Sequence, residues 1–297
     1  MNSFTISQLQ RFSGINVHSI RAWEKRYNAL KPGRSEGNTR YYNGSQLRRL
    51  LNIVSLMNLE YKVSELCSLP DSKLHELIYK KIGQANAVKD DEFLVSQLVA
   101  SALEFNESLF DKVFSRSIVQ YGMEDTYLKV IYPALQRLGI LWAIDRIATA
   151  QEHFISNLIN KKLSASIDML PLRPGSKNSW LLFLPENEFH ESGLLMANYL
   201  VRTAGHNVIY LGANLPFDSL QTAVRQLKPS SLLFFLVSND DEQNDKEFLC
   251  LVSKSFPKQK IFVAARPDRL NKIKPIKNVI SLPSVDGLKE VLKTMSK

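Results

Sequence analysis

A histidine close to a carboxylate is the feature of this sequence best suited to metal chemistry. His190 lies in the segment Glu188-Phe189-His190-Glu191-Ser192-Gly193, directly after an apolar run typical of a buried strand. An imidazole at that edge of a sheet can bind a metal centre, and the Glu188 carboxylate can orient the ring through its other nitrogen. A loop histidine can equally have a structural role, so the residues alone leave both interpretations open.

A second histidine, His153, follows Glu152 on a predicted helix, and Trp142 stands ten residues before Glu152. His153 is a candidate metal ligand, Glu152 a candidate contact of a bound cofactor, and Trp142 a candidate wall of its site. The alternative is a core tryptophan followed by a surface Glu–His pair. Position in the sequence does not decide between the two.

Positive charge is concentrated at the start of the chain. The whole chain carries +9, and residues 1–50 hold nine Lys and Arg against two acids, a net of +7. Cations on one surface bind phosphates and release counterions from DNA, and hydroxyl groups add phosphate hydrogen bonds. The candidate DNA contacts are His18, Ser19, Arg21, Lys25, Arg34, Arg40, Tyr41 and Tyr42. The alternative is that Trp23 and Arg26 brace a small core and the arginines are solvated.

Two short helices are predicted to carry the first four of these residues. Thr5 and Gln8 can form a capping box, and Gly14 provides the stop of the first helix. Asn16 can cap a second helix, on which an apolar stripe recurs at helical spacing, formed by Ile20, Trp23 and Tyr27. A tight turn between two such helices is typical of a helix-turn-helix.

A hairpin is predicted to carry the other four. The stretch 34–42 places Gly37 and Asn38 between basic and aromatic residues, which suits a wing. An amphipathic helix over 45–59 and a further helix from about Asp71 follow. The sequence therefore predicts an N-terminal winged helix-turn-helix.

The rest of the chain divides into a helical and a mixed part. From about residue 90 to 169 the pattern stays helical, with breaks predicted near Tyr121-Gly122, Pro133 and Gly139, which favours a small bundle. The segment 171–178 is typical of a linker. Beyond it, four short apolar runs alternate with helix-sized stretches and predict a Rossmann-like parallel sheet with flanking helices: Trp180–Leu184, Val208–Leu211, Leu232–Val237 and Ile261–Val263.

Composition excludes several classes of protein. With 44% hydrophobic and 23% charged residues, the chain is not a disordered tail protein. Cys67 and Cys250 lie far apart and form no CxxC pair, so neither a disulfide framework nor a thiolate zinc site is indicated. We find neither a signal-peptide pattern nor an apolar run long enough to cross a bilayer, so a cytoplasmic protein with no membrane partner is expected.

The N-terminal residues resemble a known family. The run from Ser19 to Tyr27, then Leu30-Lys31-Pro32 with Arg34, then Gly37-Asn38-Thr39-Arg40-Tyr41-Tyr42 is similar to the recognition helix and wing of MerR-type regulators. The match covers about the first 70 residues. It implies a dimer on a near-palindromic double-stranded DNA operator, which agrees with the few contacts that one such module can make.

Residues from about 90 to 297 resemble the cobalamin-binding sensor domain of a branch of MerR-type regulators, many of them light-responsive repressors of carotenoid genes. The spacing of Trp142, Glu152 and His153 matches the helical motif that covers the upper face of the cofactor. Glu188-x-His190-x-x-Gly193 is similar to the Asp-x-His-x-x-Gly loop whose histidine replaces the cofactor's own base beneath cobalt. The resemblance implies cobalamin, in its adenosyl or methyl form, with His190 as lower ligand and His153 as a possible upper one.

The sequence departs from that sensor motif at four places. Glu188 replaces an aspartate, and the Ser-x-Leu site is assigned to Ser238-Asn239-Asp240. The Gly-Gly pair beside the nucleotide tail is assigned to Ala264-Ala265, whose added Cβ atoms narrow a gap that glycine leaves open. Ala143 stands where light-sensing relatives often carry a histidine, so the photochemistry can differ or be missing.

Three functional hypotheses follow. The first is a repressor with domains at 1–75, 88–170 and 177–297, in which bundle and sheet sandwich a cobalamin that controls assembly into homodimers or homotetramers. The second is the same DNA-binding regulator with a cofactor-free sensor domain that serves oligomerisation or partner binding. The third is a cobalamin-dependent enzyme, for which the chain offers no stretch for a substrate domain such as a barrel of about 250 residues. We therefore expect no enzyme.

Overall fold

The computed structural model describes residues 3–34, 38–57, 61–83, 91–143, 148–171, 178–237, 242–266, 269 and 275–295. In chain order the elements are β1 Ser3–Phe4, α1 Ile6–Ser13, α2 Val17–Tyr27, β2 Gly33–Arg34, β3 Arg40–Asn43, α3 Gly44–Met57, α4 Val63–Ser68, α5 Asp71–Gly83, α6 Asp91–Leu103, α7 Glu107–Thr126, a π-helical segment Tyr127–Ile131, α8 Tyr132–Ala143, α9 Thr149–Asp168, β4 Ser179–Pro185, α10 Glu191–Thr203, β5 Asn207–Leu215, α11 Phe217–Leu227, β6 Ser231–Leu236, α12 Glu242–Ser255, β7 Lys260–Ala265, β8 Val279–Leu282 and α13 Val285–Met295.

Two compact units make up the chain, Met1–Leu158 and Ile159–Lys297. The first unit contains the predicted first domain and most of the predicted second, and the finer division at 1–75 and 88–170 stays a prediction. None of the described helices has the length and apolar character needed to span a membrane.

The predicted N-terminal helices and the two hairpin strands are present, together with β1 and α4, which the sequence analysis did not predict. Thr5 accepts a hydrogen bond from the backbone of Gln8, whose side chain returns one to the Thr5 backbone, so the capping box is present. Gly14 ends α1 with a left-handed φ of 71°. Strands β1, β3 and β2 form a small antiparallel sheet in that order, and β2 with β3 are the two arms of the wing.

The central helices differ from the prediction at two of three expected breaks. The helical path is interrupted at Gly122, with φ 72° and ψ −180°. It continues through Pro133 and Gly139, so these two predicted breaks are wrong. Pro133 is the second residue of α8 and lies directly after the π-helical turn in which the Tyr132 N–H donates to the Tyr127 carbonyl. A glycine inside a helix costs about 1 kcal/mol relative to alanine, which packing can outweigh.

The second unit is a five-stranded parallel sheet in the order β5-β4-β6-β7-β8, with helices between successive strands along most of the chain. The four predicted apolar runs form β4 to β7, and the Rossmann-like architecture is confirmed. The sequence analysis missed β8, whose residues are partly exposed because it is the edge strand. The chain leaves β4 towards β5 on one side and later returns to β6 on the other. This is the switch point at which ligands of open α/β sheets bind.

The two faces of the sheet are both apolar, because alternate residues of each strand point to opposite sides. One face packs its Leu and Phe side chains against α11 and α12. On the other face Trp180 stacks on Phe262 with ring centroids 4.8 Å apart, and both side chains are fully buried. Both faces of the sheet therefore carry a packed apolar layer.

Candidate functional site

The recognition helix α2 presents its polar side chains to solvent. The Asn16 side chain accepts from the Ser19 N–H at 2.8 Å and caps the helix, while Ile20 is fully buried and fixes the opposite face. His18, Arg21 and Lys25 are exposed and Ser19 is half-buried. Three of the four predicted helix contacts therefore lie on an exposed cationic face. The predicted apolar stripe is narrower than expected, because Trp23 is only half-buried and Tyr27 is exposed.

The wing places two arginines side by side. Arg34 pairs with Arg40 across the antiparallel ladder, and the Arg34 guanidinium donates to the Asn38 side chain. Gly33 faces Tyr41, and a Cβ added at Gly33 would lie only 2.3 Å from the Tyr41 ring. Gly33 thus allows the Tyr41 ring, which is 42% exposed, to lie flat across the hairpin.

Glu24 connects the recognition helix to the wing. Its carboxylate accepts a hydrogen bond from the Tyr42 hydroxyl and pairs with Arg40 at 3.4 Å. Tyr42 is fully buried, and this burial together with the Glu24 hydrogen bond raises the pKa of its hydroxyl. The prediction that Tyr42 contacts DNA is therefore wrong, because its hydroxyl is used inside the protein. Tyr42 instead holds the wing against α2, a role that the basic-aromatic pattern did not reveal.

Arg49 also has an internal role, although it contributes to the N-terminal positive charge. Its guanidinium donates to the carbonyl oxygens of Ala29, Cys67 and Leu69 at 2.8 to 2.9 Å and pairs with Asp71. These bonds tie α3 to the segment after α2 and to the turn between α4 and α5. The charge count alone could not separate this structural arginine from those that face solvent.

In the second unit, the loop after β4 brings Glu188 and His190 together. Glu188 is buried, and its Oε1 accepts from the Phe189 and His190 backbone N–H groups and lies 2.7 Å from His190 Nδ1. Its Oε2 accepts from the Val237 N–H at 2.8 Å. The longer glutamate thus reaches the ring that an aspartate orients in the motif. A hydrogen bond from Nδ1 to a carboxylate fixes the tautomer in which Nε2 carries a lone pair, as a metal-ligating histidine requires.

Two exposed apolar residues belong to the same loop region as this histidine. The His190 side chain is 57% exposed, Phe189 is 63% exposed, and Val237 at the end of β6 is 47% exposed. Within the described part of the chain, no group of three His, Cys, Asp or Glu side chains could hold a metal ion.

The space between Gly193 of α10 and strand β6, here called the cradle, is filled by the ring of Phe235. A Cβ added at Gly193 would lie 3.0 Å from Phe235, so Gly193 allows this ring to approach α10. Ala264 pairs with Phe235 in the parallel ladder and points to the same face of the sheet. Ala265 points to the other face and packs against the core there. The sequence analysis did not single out Phe235, which packs against Gly193 of the predicted motif, because an apolar residue in a buried strand carries no functional signal.

The remaining predicted cofactor residues are placed only in part. Trp142 lies in α8, but its side chain lies outside the described residues, as do Ser238, Asn239 and Asp240. In the first turns of α9 the Glu152 carboxylate accepts from the Ser156 hydroxyl and lies 3.6 Å from His153 Nε2. His153 is 66% exposed. Its role as an upper ligand stays a prediction.

The fit to a cobalamin differs between the parts of the second unit. His190 could hold a cobalt, because it is exposed and is oriented by a buried carboxylate. The cradle beside Gly193 does not offer space for a nucleotide, because Phe235 occupies it. The site therefore suits the cobalt and the apolar corrin ring better than it suits the nucleotide tail.

Comparisons with known proteins agree with both parts of the architecture. Residues 4–67 match the MerR HTH family of regulatory proteins, and residues 94–166 match the B12 binding domain. The HTH-type transcriptional repressor CarH of Myxococcus xanthus is 24% identical over 86% of this chain and 86% of its own length. The HTH-type transcriptional repressor CarA of the same organism is 28% identical over 75% of this chain and 73% of its own length.

Among solved structures, the monomethylamine corrinoid protein of Methanosarcina barkeri superposes with a TM-score of 0.54 at 11% identity, and covers 69% of this chain and 100% of its own. That similarity concerns the fold. The two repressors share most of their length with this chain, and the two family matches lie on the helix-turn-helix and on the helical bundle. The chain therefore carries a segment that matches the MerR-type helix-turn-helix, followed by a segment that matches the B12-binding domain.

Proposed function

We propose that this protein is a transcriptional repressor that binds double-stranded DNA through α2 and the wing, and not an enzyme. The observation that carries the proposal is the exposed cationic surface of α2 and the wing. Glu24 of α2 connects the two elements through its contacts with Tyr42 and Arg40 of the wing. His18, Ser19 and Arg21 lie at the N-terminal end of α2, where a recognition helix meets base edges and phosphates.

Two copies of this surface are needed for a specific operator. One winged helix-turn-helix buries only part of the area of a specific protein–DNA interface and contacts few base pairs. A homodimer, or a homotetramer built from two dimers, doubles the phosphate and base contacts and matches a near-palindromic site. Control over assembly therefore gives control over operator occupancy.

The second part of the proposal is that a corrinoid bound at His190 provides this control. Such a group would supply a cobalt that can exchange ligands. Glu188 would hold the His190 ring in the orientation required for Nε2 to reach the metal, and Phe189 and Val237 would pack against the ring system. Binding that differs between the free chain and the assembled form shifts the population of oligomers.

Charge reversal tests the DNA-binding part. Arg21→Glu with Lys25→Glu should strongly weaken binding to a fluorescent duplex selected from a random-sequence library, measured by anisotropy at low ionic strength. The slope of log affinity against log salt should also become shallower, because fewer counterions are released. Lys258→Glu, an exposed lysine of the second unit, is the control with the same kind of charge change. Unchanged binding by the double variant would refute the proposal.

One observation favours a second candidate, a regulator whose sheet domain needs no cofactor. Phe235 fills the cradle beside Gly193, and Ala264 lies next to it on the same face. The second unit would then serve only oligomerisation or partner binding. This candidate predicts that operator binding and oligomeric state are the same with and without added corrinoid, in darkness and in light. A gel shift that responds to adenosylcobalamin or methylcobalamin, and loses this response in His190→Ala, would exclude it.

A further inference from the structure

The second unit contains a contact that bears on the chemistry of its ligand. His190 precedes α10, and Gly193 lies one turn further along the chain on the side of the helix that faces the sheet. The ring of Phe235 from β6 lies against Gly193, with atoms 3.0 and 3.2 Å from the position of a Cβ. The Phe235 ring therefore lies between α10 and the sheet, one helical turn beyond His190.

We propose that Phe235 determines which corrinoid this site accepts, and that it selects a corrinoid without a lower nucleotide, of the cobinamide type, over complete cobalamin. The proposal rests on the function proposed above, since it concerns the ligand of the same histidine. It assigns to Phe235 a role in specificity that its place in a buried strand does not suggest.

The chemical reason lies in the tether of the nucleotide. In cobalamin the lower base is linked covalently to the corrin ring, so a protein histidine that takes its place on cobalt leaves the base to be housed elsewhere. Housing it between α10 and the sheet would require Phe235 to leave Gly193. A corrinoid without the nucleotide keeps the cobalt and the apolar ring, and requires only the exposed edge formed by Phe189, His190 and Val237.

Movement of the Phe235 ring deeper into this face of the sheet is opposed by its neighbours. Ala264 adds a Cβ on the same face in the adjacent strand, where a glycine would leave a gap. Deeper on this face Trp180 and Phe262 are stacked and fully buried. Since interiors are close-packed, a ring displaced into this layer would force neighbouring side chains out of their positions.

The test compares two ligands on the full-length protein. Aquocobinamide and aquocobalamin are titrated separately in darkness, and the cobalt absorption bands report histidine coordination. We expect the wild type to bind cobinamide at least about tenfold more tightly than cobalamin, and His190→Ala to lose the spectral change. Phe235→Ala should bring the two affinities together, whereas Phe235→Leu, the matched control that keeps most of the volume, should keep the preference.

The outcomes separate this inference from the proposed function. Equal affinities in the wild type, or a preference for cobalamin, would overturn the selection by Phe235 and leave corrinoid control in place. Binding of neither ligand would overturn both, while DNA binding would be untouched. The comparison of two ligands on the wild type does not depend on the folding of any variant, and thermal unfolding curves identify a variant that fails to fold.

Discussion

Replacing Glu188 by glutamine separates the charge of this residue from its shape. Glu188 Oε1 faces the Phe189 N–H, the His190 N–H and His190 Nδ1, and Oε2 faces the Val237 N–H. All of these contacts call for an acceptor, and an amide provides only one oxygen. The favoured orientation keeps oxygen at the three contacts and turns the NH₂ group towards the Val237 N–H, so two donors face each other in a buried place.

The expected cost follows from this geometry. Loss of one hydrogen bond to a charged group, with its donor left buried, costs about 1.5–3 kcal/mol of unfolding free energy. The His190 ring also loses its charged partner, and changes of this kind typically reduce metal affinity by about 10- to 100-fold. Both effects should appear together in Glu188→Gln.

Urea unfolding of the full chain measures the first effect, and titration with a corrinoid measures the second. Nitrogen NMR of His190 reports whether the ring keeps one tautomer. Glu186→Gln is the matched control, since Glu186 is exposed two residues away and undergoes the same chemical change. If Glu188→Gln were as stable as Glu186→Gln and kept a single His190 tautomer, the buried carboxylate would not orient the histidine and our reasoning about the site would be wrong.

Three further predictions concern other parts of the chain. Arg49→Ala should lower the unfolding free energy by about 3 kcal/mol in urea titrations, because buried carbonyl groups lose a charged donor, and Arg49→Lys should restore only part of it because an ammonium lacks the planar fork. Gly33→Ala should weaken duplex binding in anisotropy assays as Tyr41→Ala does, since the new Cβ displaces the ring, whereas Gly139→Ala should leave DNA binding unchanged and stabilise α8 by up to about 1 kcal/mol. Burial lowers the pKa of His206, so just below pH 6.5 the unfolded chain binds more protons than the folded chain. The unfolding free energy, measured by urea titration, should therefore decrease as the pH is lowered through this range, by at most about 1.4 kcal/mol per pH unit. In His206→Asn the decrease should be less steep.

The sequence predicted those parts of the molecule that depend on local signals. The capping box at Thr5, the glycine at the end of α1 and the asparagine cap of α2 are set by residues within one helical turn of each other. The parallel sheet was predictable because strands buried on both faces form continuous apolar runs. The contact between Glu188 and His190 was predictable because only one residue separates them in the sequence.

The contacts that the sequence analysis missed join residues far apart in the chain. Tyr42 reads as a DNA contact until Glu24 is placed beside it, eighteen residues away. Arg49 reads as part of the basic surface until three carbonyl groups from two other segments are seen around it. Phe235 reads as an ordinary core residue until Gly193 is brought against it. Residue type gives no information on such partners, because the packing of elements decides them.

The connection between the DNA-binding elements and the bundle bears on how a signal could reach DNA. Helix α3, which follows the wing, packs against α6 of the bundle, and there Gln97 donates to Ser55 at 3.1 Å. Arg48 pairs with Glu104 at 2.9 Å between the same parts of the chain. Sliding α3 along α6 would leave the buried amide of Gln97 without its partner, at a cost of about 1–3 kcal/mol.

A hinge between these two parts would therefore have to break buried polar contacts before the wing could move. A change in how whole first units assemble on DNA requires no such break, because it leaves the contacts between α3 and α6 intact within each copy. These contacts favour control through assembly over control through movement of the DNA-binding elements relative to the bundle.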